Sequence, residues 1–130
     1  MKKSNWTQAL AETIEAAKKR PFSWGKFDCC IFISECVIAQ TGVDPMPEFR
    51  GHYTTKTGAN RVVKKYGGLE AVINSKFKRI TKNELSRGDL VMFKSPEGLT
   101  MGAVFNQIWA PTESGVNAVN CEILACWRVG

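Results

Sequence analysis

Apolar residues in the first part of the chain recur at helical spacing. Trp6, Leu10, Ile14 and Ala17 fall on one face and predict a helix over residues 6–19, with Asn5 and Gln8 as a capping pair at its start. Arg20-Pro21 ends it, because a residue before proline is pushed out of the helical region. Residues 21–27 mix Phe22, Trp24 and Phe27 with Pro21 and Gly25, a pattern for a packed loop rather than a regular element. From Asp28 to about position 40, Ile31, Phe32, Ile33, Val37 and Ile38 occupy most of a helical circumference. An amphipathic surface helix needs only one apolar stripe, so this one is predicted to be the buried central helix. The aromatic loop ahead of it places Trp24 across the mouth of the core.

After Thr41-Gly42 the pattern breaks at Pro45 and Pro47, and two short helices are predicted over 59–66 and 69–74, separated by Gly67-Gly68. Near Phe77 the periodicity changes from helical to alternating. Residues 89–93 read as a strand, Ser95-Pro96-Glu97-Gly98 as a turn, 101–109 as a second strand and 118–129 as the last one or two. Helices followed by an antiparallel sheet of three to five strands make an α+β domain, here a single one over residues 1–130.

Composition narrows the function classes. Apolar residues are 44% of the 130 and charged residues 23%, the balance of a globular chain that can bury its own core. No run reaches the roughly 20 apolar residues of a membrane span, and no apolar block follows Met1-Lys2-Lys3 as in a signal peptide. The net charge of +6 favours anionic partners, but the basic residues are spread over Lys18-Lys19-Arg20, Arg61 with Lys64-Lys65, and Lys76 to Lys82. No nucleic-acid-binding motif accompanies them, so solvated basic faces account for the charge. Five cysteines, at 29, 30, 36, 121 and 126, are an odd number in a chain read as unexported, which argues against a disulfide framework. Cys29 and Cys36 share a helix face, yet their spacing is wrong for a zinc knuckle and the only histidine is His52. Neither a metal nor a cofactor is expected.

The most informative position is Asp28-Cys29. Asp28 is a good N-cap, which puts Cys29 in the first helical turn, where unpaired N–H groups and the helix dipole favour a thiolate. A nucleophilic cysteine needs that environment together with a base and oxyanion donors. A cap followed by a small core residue is the ordinary alternative for the same dipeptide.

The series Trp24-Gly25-x-x-Asp28-Cys29 opening an apolar helix, with Arg87-Gly88-Asp89 opening a sheet, resembles the NlpC-type cysteine peptidases of the papain-like superfamily, which cut peptide bonds in bacterial peptidoglycan. More closely, the chain resembles a small phage and prophage family of unknown function. That likeness is carried by residues 20–29, 41–45 and 50–53, by Gly58-Ala59, Gly67-Gly68 and Arg87 to Asp89, and by Trp127 to Val129. The resemblance implies a papain-like domain with N-terminal helices packed on a C-terminal antiparallel sheet and with Cys29 at the nucleophile position. It also implies that Thr100 stands where the peptidases carry their basic histidine, and threonine accepts no proton near neutral pH.

Two functions follow from that departure. The first is a phage virion or tail-assembly protein, a non-catalytic pseudo-peptidase whose partners are other phage structural proteins, located in the virion tail or in the host cytoplasm during assembly. The second is a cysteine peptidase or amidase acting on peptidoglycan peptide bonds, with Cys29 as nucleophile and His52 folding back as base. Trp24, Asp28, Arg50 and Tyr53 are the supporting residues in either case. Arg50 and Tyr53 serve recognition in one version and hold their loop to the core in the other.

Overall fold

A computed structural model of the chain describes residues 2–130. Four helices come first, α1 (Trp6–Ala17), α2 (Cys29–Thr41), α3 (Lys56–Lys65) and α4 (Leu69–Lys76). Six strands follow, β1 (Lys78–Ile80), β2 (Leu90–Ser95), β3 (Gly98–Phe105), β4 (Gln107–Thr112), β5 (Gly115–Val119) and β6 (Ala125–Arg128), with a short 3₁₀ turn at Lys82–Glu84. The strands form one sheet in the order β1-β6-β2-β3-β4-β5, antiparallel at every pairing. The α+β arrangement expected from the periodicity is the one observed. No described helix is long and apolar enough to cross a membrane.

Helix α2 is buried on nearly all sides, as its apolar circumference requires. Ile31, Phe32, Ile33 and Cys36 have at most 1% of their surface exposed, and even Ser34 and Gln40 are interior. Ser34 Oγ donates back to the Cys30 carbonyl (2.7 Å), which removes the cost of a buried hydroxyl. Gly42, at φ +82°, ends the helix in the left-handed region and donates to the Ile38 carbonyl (2.7 Å). Against α2 and its neighbours lies one face of the sheet, built by Leu90, Met92, Met101, Ala103, Ala125 and Trp127. The opposite face carries Val91, Phe93, Ala110 and Cys126. Residues 120–124 carry the chain from edge strand β5 back to β6, with Cys121 and Ile123 packed on that second cluster and the Leu124 N–H bonded to the Met92 carbonyl (2.8 Å).

Several boundaries differ from expectation. The sheet has six strands, more than three to five, because residues 101–109 are the parts of two strands that turn at Asn106, which sits at φ +65° with Phe105 paired to Gln107. Asparagine tolerates that conformation, but no glycine or proline stands at the turn itself, so the turn is hard to read. Residues 118–129 split in the same way, and Cys121 lies in the connection rather than in a strand. Helix α3 begins at Lys56, three residues before the predicted start, because Thr55 Oγ1 caps it by accepting from the Gly58 N–H (3.0 Å). Asn5 makes no side-chain cap at α1, whose last helical residue is Ala17, and Gln8 instead donates to Glu12 (3.0 Å).

The far end of the molecule from Cys29 is held by polar contacts between distant segments. Gln40 Nε2 donates to the Gly88 carbonyl (3.0 Å). Gly88 lies at φ +98°, and a Cβ there would collide with Gln40 Oε1, so only glycine fits. Beside it the buried Asp89 carboxylate accepts from the Ser86 N–H (2.9 Å) and from Arg128 Nε (3.0 Å), while Arg128 Nη2 reaches the Glu84 carbonyl (2.6 Å). The Arg-Gly-Asp and Trp-Arg-Val motifs, some 40 positions apart, are therefore one structural unit. Asp89→Ala leaves the Ser86 N–H and the half-exposed Arg128 guanidinium without their acceptor. It is expected to lower stability by about 2 to 4 kcal/mol in urea unfolding.

Candidate functional site: a cavity at the start of the central helix

The N-terminus of α2 opens into a cavity of about 740 Å³. Its position follows from the aromatic loop and from Asp28. Ser23 and Phe27 pair across a tight turn, with the Phe27 N–H donating to the Ser23 carbonyl (2.7 Å) and the Ser23 N–H to the Phe27 carbonyl (2.9 Å). Asp28 is 1% exposed. Its Oδ1 caps α2 by accepting from the Ile31 N–H (3.1 Å), and its Oδ2 accepts from the Gly25 N–H (2.9 Å) and the Tyr53 hydroxyl (2.6 Å). Gly25 is at φ +80°, and any Cβ there would strike the Tyr53 carbonyl. The Gly51 N–H donates in turn to the Gly25 carbonyl (2.9 Å). Loop 21–27, loop 49–55 and the helix are thus locked together, with Cys29 next to the lock.

The opposite side of the cavity is a break in the sheet. Strands β3 and β4 pair from Phe105↔Gln107 to Ala103↔Trp109 and no further, although β4 continues to pair with β5 as far as Thr112↔Gly115. The next inter-strand donor on β4 would be Pro111, across from Met101, and proline has no N–H. The first half of β3 and the second half of β4 therefore line the cavity from separate sides, contributing Leu99 and Thr100 on one and Pro111 and Thr112 on the other. Helix α3 supplies Ala59 and Val63, and the aromatic loop supplies Phe22 and Trp24. An ion pair between Lys56 Nζ and Glu97 Oε2 (3.2 Å) links α3 to the β2–β3 turn.

Cys29 is half-buried at the cavity wall. Its thiol is held below the ordinary cysteine range by the adjacent Cys30 thiol first, and then by the Met101 and Cys30 N–H groups, which outweigh burial and the Asp28 charge. The other four thiols are raised. Cys30 is raised by its neighbour Cys29 and by burial, and Cys36, Cys121 and Cys126 are raised chiefly by burial. The phenol of Tyr53 is pushed far above its usual range by burial and by its bond to Asp28, so it stays protonated.

Of the residues singled out from the sequence, Cys29, Asp28, Tyr53, Trp24 and Thr100 all border this cavity. Trp24 is only half-buried, edge-on to Phe22 with ring centroids 4.7 Å apart, so it forms the cavity rim and does not seal the core. The Thr100 hydroxyl lies 2.8 Å from Ser95 Oγ and donates to the Gly98 carbonyl (3.1 Å). Arg50 lies elsewhere. Its guanidinium reaches Glu35 and Asp44 (both 3.6 Å), and Arg20 joins the same Glu35 (2.6 Å), so these residues fasten loop 42–50 to α2. His52 is exposed, its N–H donating to the Phe49 carbonyl (3.3 Å), and it does not border the cavity. Among the described residues no cluster of three or more His, Cys, Asp or Glu is placed to hold a metal.

Sequence reasoning missed the Met101 N–H, the Lys56–Glu97 pair and Cys121, which also borders the cavity. Pro111 inside an apolar run was the one readable signal, since proline in a strand interior marks a place where a ladder fails.

Chemically, the site offers a thiolate-favouring cysteine and backbone donors. At the first turn the Cys29 and Cys30 N–H groups have no acceptor within the helix. The ionisable side chains around the cavity are Asp28, Tyr53, Lys56, Lys94 and Glu97 besides the cysteines. Asp28 and Tyr53 are bonded to each other and Lys56 to Glu97. The cavity holds no imidazole to shuttle a proton.

A family model described as a domain of unknown function, DUF6950, matches residues 1–129 of the chain. No curated protein matches it.

The Asp28 lock can be measured directly. Asp28→Ala leaves two N–H groups and a phenol without their acceptor and is expected to cost about 3 kcal/mol or more, whereas Tyr53→Phe removes one bond and costs about 1 to 2 kcal/mol. In an Asp28→Ala background the Tyr53→Phe change should add little, which a double-mutant cycle by thermal or urea unfolding tests.

Proposed function

The chain belongs to the DUF6950 family, and we propose that it is a papain-like, NlpC-type module of a phage particle, used in virion or tail assembly and without hydrolytic turnover. The observation that carries this reading is the cavity beside Cys29. It has the helix-mouth cysteine and backbone donors of a cysteine hydrolase, while its border includes Thr100 and no histidine. Nucleophile activation on an amide requires a base within hydrogen-bond reach and then an acid to protonate the leaving amine. His52, the one imidazole in the sequence, is exposed outside that border. The order of motifs from residue 20 to residue 129 supports the phage assignment by resemblance, with other phage structural proteins as partners.

One observation favours a second reading. The Cys29 thiol lies below the usual cysteine range and faces a cavity large enough for a substrate, as in a cysteine peptidase or amidase acting on peptidoglycan peptides. Alkylation by iodoacetamide, followed by mass spectrometry across pH, separates the two. In the non-hydrolytic reading Cys29 reacts about tenfold or more faster than the other four thiols near pH 7.5. Its rate falls with pH as a single thiol protonates, and His52→Ala gives the same curve. Reactivity that persists at pH 5 and disappears in His52→Ala marks a thiolate–imidazolium pair and overturns this reading, as does release of peptide fragments from purified peptidoglycan.

A further inference from the structure

The chemistry left to Cys29 is narrower than hydrolysis, and it depends on the absence of a base argued above. An amide cannot be cleaved without protonating its leaving amine, but a thioester leaves as a thiolate and needs no proton. The nucleophile in such an exchange is a thiolate, which the adjacent Cys30 thiol first, and then the Met101 N–H, favour at Cys29 on the cavity wall. When the thiolate adds to the thioester, the oxyanion forms on the carbonyl oxygen, and the Cys29 N–H, which has no acceptor within the helix, is a donor for it.

The cavity beyond the sulfur has walls of Trp24, Ala59, Val63, Phe93, Leu99 and Val119. Its volume of about 740 Å³ falls in the range of small-molecule sites, roughly 300 to 1,000 Å³. Leu99 is half exposed at its border, an apolar side chain that a ligand would cover. These walls suit a hydrocarbon chain.

We propose that Cys29 is an acyl acceptor, which takes an apolar acyl group from a thioester and keeps it in this cavity. The Cys29 thiolate attacks the thioester carbonyl, a bond forms between Cys29 Sγ and the carbonyl carbon, and the bond from that carbon to the donor sulfur breaks. The electron pair leaves on the donor thiolate, which takes a proton from solvent, so one thioester replaces another and nothing is oxidised or reduced. Releasing the acyl group to water requires a base to activate the water, and none borders the cavity, so the acylated chain accumulates.

The test uses octanoyl-coenzyme A and acetyl-coenzyme A with the full chain, read by intact-mass and peptide mass spectrometry. One octanoyl group per chain is expected, located on Cys29 and released by hydroxylamine. It should form about tenfold or more faster than the acetyl adduct, because each buried methylene favours the longer chain by about 0.8 kcal/mol. The adduct should vanish in Cys29→Ala and persist in Cys121→Ala. Val63→Trp, which fills the cavity, should slow octanoyl transfer without slowing acetyl transfer, and the chain-length ratio in the unsubstituted protein stands independently of how that variant folds. No adduct, an adduct spread equally over Cys29 and Cys121, or equal rates for the two donors overturns the proposal and leaves the non-hydrolytic reading intact. Cys29-dependent turnover to free octanoate without a stable adduct overturns both.

Discussion

The buried Asp28 carboxylate is the constraint on which the cavity end of the molecule depends. A carboxylate with 1% exposure persists in an interior only when its oxygens are fully used, and here the donors come from three separate segments. Gly25 brings the aromatic loop, Ile31 the first turn of α2 and Tyr53 the loop before α3. Each donor fixes the direction in which its own segment leaves the site. The orientation of Cys29, the rim formed by Phe22 and Trp24 and the wall formed by α3 are consequences of one charged group satisfying its lone pairs.

A second constraint acts from the sheet. Backbone pairing between β3 and β4 lapses across from Met101, and this lapse lets the Met101 N–H face the Cys29 sulfur instead of a neighbouring strand. The same missing pairs leave room for the cavity. A continuous ladder there would satisfy the backbone and close the site. The site thus exists because two local rules meet, a proline that cannot donate on β4 and a helix end that leaves its first N–H groups free.

Toward the opposite end of α2 a second cavity, of about 780 Å³, lies beside Val37, Thr41 and Arg128 and holds no cysteine. Gln40, Gly88, Asp89 and Arg128 join the end of the central helix to the sheet through buried polar contacts. Helix α2 is therefore tied to distant parts of the chain at both ends, by the Asp28 carboxylate at its start and by the Gln40 amide near its end, and Cys29 borders the cavity at the Asp28 end. Fixing the helix in this way also fixes the position of the Cys29 thiol at its tip.

By itself the sequence determined the class of fold and singled out the Asp28-Cys29 corner that borders the cavity. The change of period near Phe77, the all-round apolar helix after Asp28 and the cap-plus-cysteine pair are local properties, set within one or two turns of chain, and all are present in the structure. The site was half legible: Asp28, Cys29, Tyr53, Trp24 and Thr100 converge on one cavity, while Arg50 and His52 do not reach it. The turn at Asn106, the early start of α3 and the half-buried state of Trp24 were not legible, because each is decided by neighbours that a linear pattern does not name. Only the tertiary structure decided what surrounds the thiol. Tyr53 meets Asp28 across 25 positions and Met101 meets Cys29 across some 70, and no periodicity encodes which backbone N–H a strand leaves unpaired. That choice belongs to the packing of the whole chain, since an N–H group is free only where every other segment has been placed elsewhere.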